Sequence, residues 1–149
     1  MIAAAAVIGA GMVVAALVLG GAFHGGDPPR DPRIFDAKTP GVLRLLKAMR
    51  EDSPAALYDA ISPRARGPAS RADFIGVYER QRARTGRVTR ASAGEPFRSR
   101  DTADGAVGSA IFRVAYDQGP ARGYTAYFVF EDREWRFWFT APLRRGERR

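Results

Sequence analysis

The sequence predicts an α+β protein in which an N-terminal transmembrane helix precedes three helices packed on one face of an antiparallel sheet. Three observations predict it. The chain opens on an uncharged apolar run, apolar residues then recur at helical spacing as far as Thr85, and from Gly86 onward the period falls to two. With 149 residues in all, one ordinary domain fits behind the apolar run and a multidomain enzyme does not.

Ile2 to Phe23 is 22 residues without a charged or strongly polar side chain. At about 1.5 Å per residue a helix of that length covers roughly 33 Å, enough for a hydrocarbon core of about 30 Å. A cleavable signal peptide is the alternative, with Gly20-Gly21-Ala22 as small residues for a peptidase. The run exceeds an ordinary signal core and has no Lys or Arg ahead of it, which favours a retained anchor over residues 1–23. Gly11 and Ala15 form a small-xxx-small pair of the kind that packs against a second helix, a pair that Ala-rich spans also produce by chance. Arg30, Arg33 and Lys38 follow the span, so the positive-inside count places the soluble part in the cytoplasm. A start site upstream of Met1 would restore a basic leader and reverse that reading, so the side of the membrane stays open.

Residues 24–38 hold two Gly, three Pro and six charges among fifteen, the composition of an extended spacer. The soluble domain is expected over 39–142, with a basic tail at 143–149. Thr39-Pro40 is a helix start, and Val42, Leu45, Leu46 and Met49 follow at helical spacing. Ser53-Pro54 repeats the signal, with Leu57, Tyr58 and Ile61 as a short stripe closed by Ser62-Pro63. After a basic loop, Ser70 and Asp73 open a third helix as a capping box whose stripe is Phe74, Val77, Tyr78 and the stem of Gln81; Thr85-Gly86 ends it. Gly86 to Ser92 then reads as a weak strand and Pro96 to Arg100 as a second short piece. Between Gly108 and Asp117, Ala110, Phe112, Val114 and Tyr116 face one way; between Arg122 and Glu131, Tyr124, Ala126, Phe128 and Phe130 do. After Asp132-Arg133, Trp135, Phe137 and Phe139 alternate with Arg136, Trp138 and Thr140.

No Cys and a single His, His24, exclude disulfides, Cys or His-pair metal centres and thiol nucleophiles, so no cofactor and no metal is expected. The net charge of +8 comes from 22 Arg and two Lys against 16 acids, which fits a GC-rich coding sequence as well as phosphate contact. Arg64, Arg66 and Arg71 surround one loop, and Arg144, Arg145, Arg148 and Arg149 close the chain; on a tethered domain such groups meet anionic lipid or an acidic partner. Nucleic acid has only the charge in its favour, since no recognition motif accompanies it.

The order of these elements resembles bacterial membrane-tethered members of the nuclear transport factor 2-like (SnoaL-like) superfamily. Asp52, Leu57-Tyr58, Ile61-Ser62, Arg64, Ser70, Phe74, the acidic turn Glu131-Asp132 and Trp135-Arg136 carry the resemblance over about residues 40–141, although Arg133 stands where the pattern usually has Gly. The resemblance implies a cone-shaped α+β barrel, an extracytoplasmic domain, and pairing of copies through the sheet. It also implies that the interior is either filled or hollow. Some members are isomerases, dehydratases or cyclases with an internal Asp or His base; others only bind or scaffold.

Asp59 is the nearest catalytic candidate, but its position on the second helix also suits an exposed acid, and no His is present in the domain. Tyr58, Tyr78, Phe112, Tyr116, Phe128, Trp135 and Phe137 are the candidates for lining a pocket for a small apolar ligand, with core filling as the competing reading. If helices cover the Phe face, Tyr127, Val129 and Trp138 lie outside, an aromatic surface that calls for a second copy or another membrane subunit. The expectation is therefore a membrane-anchored, non-catalytic interaction module. A ligand-binding domain and a cone-type isomerase or dehydratase are the alternatives.

Overall fold

The computed structural model describes residues 31–143. The apolar run, the spacer as far as Arg30, His24, and the tail from Arg144 lie outside the described residues, and so do the expectations placed on them. Among the described residues no helix is long and apolar enough to cross a membrane.

Proline at the first helical position recurs through the helical half. Helices α1 (Pro40–Arg50), α2 (Pro54–Ala60) and α3 (Pro63–Arg66) each begin with it. Its missing N–H costs nothing there and its fixed φ suits the first turn. The one-turn α3 falls in the stretch expected to be a basic loop, so four helices replace the expected three: Ser62-Pro63 both closes α2 and restarts the chain. The hydroxyl of Ser53 accepts from the Ala56 N–H at 3.2 Å, whereas Thr39 does not cap α1. Thr39 turns to the preceding segment instead, accepting from the Asp36 N–H at 2.8 Å and donating to the Ile34 carbonyl at 3.3 Å. In α4 (Arg71–Thr85) the capping box of Ser70 and Asp73 is formed in both directions. Gly86 ends that helix with φ 77°, and a Cβ there would fall 1.6 Å from the Asp117 carboxylate, so no other residue fits the turn.

Strands β1 (Val88–Thr102), β2 (Gly105–Tyr116), β3 (Arg122–Glu131) and β4 (Glu134–Pro142) form one antiparallel sheet in sequence order. The fold is α+β, as expected. The two pieces expected before Gly105 are one bulged strand. Gly94 pairs with Ile111 and Arg98 with Ser109, so three residues of β1 oppose Ala110 alone. Pro96 is tolerated inside β1 because that strand is an edge. The β3–β4 turn puts Asp132 and Arg133 at φ 50° and 64°, which supplies the backbone a tight hairpin needs without Gly.

The helices cover the Phe face. Val42, Leu45, Leu46 and Met49 of α1, Leu57 of α2 and Phe74 of α4 are buried with Phe112, Phe128, Trp135 and Phe137 of the sheet. Ala91, Ala93, Ala110 and Ala126 keep the sheet surface low where the helices approach. Phe128 lies 6.0 Å from Phe112 and 5.8 Å from Phe137 between ring centres.

Phe35 belongs to this core too, which corrects the reading of 24–38 as a spacer that does not pack. Its ring lies 5.0 Å from Trp135 and 5.3 Å from Phe128. Gly108 makes room for it, since a Cβ there would stand 2.7 Å from the Phe35 ring. The spacer's polar composition hides one apolar side chain that plugs the end of the core.

Candidate functional site

The β4 edge is closed before any site is reached. Ile61 makes a parallel bridge to Phe137, the Ser62 N–H donates to the Phe137 carbonyl at 2.7 Å, and the Ser62 hydroxyl donates to Glu131 at 2.6 Å. That leaves the outer face of the sheet as the large surface that no helix layer among the described residues covers.

A register break in β4 shapes this face. Phe128 pairs with Phe137 while Tyr127 pairs with Phe139, so one extra residue, Trp138, sits between them. The bulge reverses the alternation. Phe139, expected beside Trp135 and Phe137, is instead stacked on Tyr127 at 4.7 Å between ring centres, and Trp138 meets its edge at 4.9 Å. The three half-buried rings form a ridge over β3 and β4. Val129, expected to be exposed with them, is only 6% exposed. It is apolar floor beneath longer neighbours.

Beside the ridge, the β1–β2 half is basic and hollow. Arg98, Ser99, Arg100, Val107, Ser109, Thr125 and Tyr127 line a depression of about 280 Å³. A second hollow of about 210 Å³, lined by Ser62, Arg64, Asp104, Val107, Val129 and Trp138, shares Val107 with it. At the β4 side Arg136 is held by Glu134 at 2.7 Å and Asp132 at 3.8 Å. Glu134 also takes Arg44 at 3.2 Å. Burial opposes its ionisation, but the hydrogen bonds from Arg44 and Arg136 outweigh that and hold its carboxyl below the ordinary value.

The expected pocket candidates do not gather around a hollow. Phe112, Phe128, Trp135 and Phe137 are packed into the core at 3% exposure or less. Tyr116 packs against the core's margin. Tyr58 and Tyr78, expected at a pocket mouth, are cross-ties. The Tyr58 hydroxyl donates to the Ala69 carbonyl at 3.1 Å, with Arg66 4.7 Å above its ring. The Tyr78 hydroxyl donates to Asp52 at 2.5 Å. None of the seven lines the hollows described above.

Two acids deserve separation. The Asp59 side chain is 59% exposed and pairs with Arg71 at 2.9 Å, the geometry of a solvated helix acid. Asp52 is the enclosed one, 11% exposed, with Arg82 at 3.2 Å beside the Tyr78 hydroxyl. It sits at φ 49° in the α1–α2 turn, a position open to Asp more readily than to most residues. Burial first, then the hydrogen bond and charge of Asp52, raise the Tyr78 phenol well above its ordinary value against the opposing pull of Arg82. Sequence spacing missed this cluster because its members come from a turn and from α4, 26 residues apart. The Tyr78 hydroxyl on Oδ1, the Arg82 charge near Oδ2 and the Arg82 hydrogen bond to the Asp52 carbonyl together tie the α1–α2 turn to α4. Among the described residues no group of acids or His is placed to hold a metal ion.

Comparison with known proteins places the chain nowhere: no family model, no curated protein and no solved structure matches it.

Proposed function

We propose that the chain is a membrane-anchored, non-catalytic interaction module that pairs with a second copy through the outer face of its sheet. The observation that carries this reading is the ridge of Tyr127, Trp138 and Phe139 on a face that no helix among the described residues covers. Aromatic rings left half in water gain most when another surface covers them, and aromatic residues are enriched at interfaces for that reason. The anchor is residues 2–23, read from sequence. Membership of the nuclear transport factor 2-like superfamily, with its cone-shaped barrel, belongs to the same proposal. What supports it is the order of helices before an antiparallel meander whose apolar face they cover.

The test is co-purification of two differently tagged full-length copies from one membrane in mild detergent. Wild-type copies are expected to purify together, and Trp138→Ala with Phe139→Ala to separate them. Wild-type copies that never purify together, or variant copies that still do, refute the pairing. Alkaline extraction tests the anchor separately: the chain should stay in the membrane pellet, and release into the supernatant refutes a spanning segment.

A further inference from the structure

We propose that the hollow between β1 and β3 on the outer face binds the phosphate of a small phosphate monoester. The inference goes beyond the pairing and does not depend on it, because Arg98 and Arg100 lie on the far side of Tyr127 from the Trp138–Phe139 part of the ridge.

Register builds the site. Arg98 pairs with Ser109 and Arg100 with Val107, while Ser109 pairs with Tyr127. Arg98 and Arg100 are two apart on one strand, so their side chains leave the same face about 6.6 Å apart at the backbone. The bulge over Glu95 to Phe97 sets this phase; without it the two arginines would fall out of line with Ser109 and Val107. Arg71, Arg82 and Arg136 on α4 and β4 each have an acid beside them. Arg98 and Arg100 have no ion-pair partner among the described residues. Ser109, Thr125 and Tyr127, three hydroxyl-bearing residues, line the same hollow together with the apolar Val107.

Two fixed positive charges match a group that carries about −1.5 to −2 near pH 7, as a phosphate monoester does. Guanidinium forks bond pairs of phosphate oxygens, and hydroxyls can donate to the remaining ones. A monocarboxylate would leave one arginine uncompensated. The esterified body would lie along Val107 and the Tyr127 ring. The same chemistry reaches the site from a soluble phosphate ester or from a lipid with a monoester headgroup.

The experiment is calorimetric titration of the full chain in a non-ionic detergent with phenyl phosphate, benzoate and a short-chain phosphatidate. Phenyl phosphate should bind, at least tenfold more tightly than benzoate, and Arg98→Ala with Arg100→Ala should weaken it at least tenfold. Arg144→Ala with Arg145→Ala, which removes equal charge from the tail, should leave it within twofold. Both arginines of the hollow are exposed, so the fold is expected to survive, and Ser109→Ala provides a milder second variant with a loss of several-fold. Tighter binding of phosphatidate than of phenyl phosphate assigns a lipid source, and the reverse a soluble one. Benzoate binding as tightly as phenyl phosphate, equal losses from the tail and hollow variants, or no binding at all would overturn the proposal. Repeating the titration with Trp138→Ala separates it from the pairing, since that variant should keep the hollow.

Discussion

The two faces of the sheet are built from the same kinds of residue and do opposite things. The inner face carries Phe112, Phe128, Trp135 and Phe137 under α1, α2 and α4, and all four are sealed from solvent. The outer face carries Tyr127, Trp138 and Phe139 in a contiguous row that no helix among the described residues covers. The difference teaches that hydrophobicity alone does not separate a sealed core from an uncovered surface. Which element arrives to cover a face does, and a single bulge decides which face a ring joins.

The comparison is sharpened most by removing one ring from the sealed side. Trp135→Ala should destabilise the domain by about 3 to 5 kcal/mol in urea denaturation, because it empties a site shared with Phe35 and Phe130. Gly108→Ala should cost about 2 kcal/mol by pressing on the Phe35 ring. In a Phe35→Ala background the same substitution should cost almost nothing, since the two residues share one space. Equal costs in both backgrounds would remove Phe35 from the core.

Tyr78→Phe should cost about 1.5 to 2 kcal/mol, the value of a hydrogen bond to a charged group. The phenol is raised in the folded state, so its contribution is complete below the unfolded value of about 10 and fades as pH climbs through the folded one. The stability gap between wild type and Tyr78→Phe should therefore be flat from pH 7 to about 9.5 and narrow above 10. A gap that widens there would contradict the contact. Smallest of all, Asp59→Asn should change stability by less than about 1 kcal/mol, because its pair with Arg71 is exposed.

Much of the inner face was legible in the sequence, and little of the outer face was. Val42, Leu45, Leu46 and Met49 declare a helix through spacing, Ser70 and Asp73 declare its neighbour's start, and the alternation through Phe112 and Phe128 declares which side is covered. These are local patterns with a fixed period. Phe139 was misassigned because a bulge adds one residue to one strand, and whether it forms depends on the partner strand. Phe35 was hidden because three prolines and six charges mask the one ring that a glycine 73 positions later makes room for. The basic hollow was invisible for a related reason: Arg98 and Arg100 meet Ser109 and Thr125 only through the register set by the irregularity in β1. Asp52 and Tyr78 illustrate the same limit, since one lies in a turn and the other on the apolar stripe of α4, and no local pattern links them.

The most direct test of the distinction between the faces is a matched pair of tryptophan substitutions in the full-length chain, read for both urea stability and the mass of the detergent-solubilised particle. Trp138→Ala should lose no more than about 1 kcal/mol while the particle falls from two copies to one, because its ring packs on the outer ridge and stands outside the core cluster. Trp135→Ala should lose several times as much stability. A Trp138→Ala protein that unfolds as readily as Trp135→Ala, or one that keeps the wild-type mass, would contradict the account.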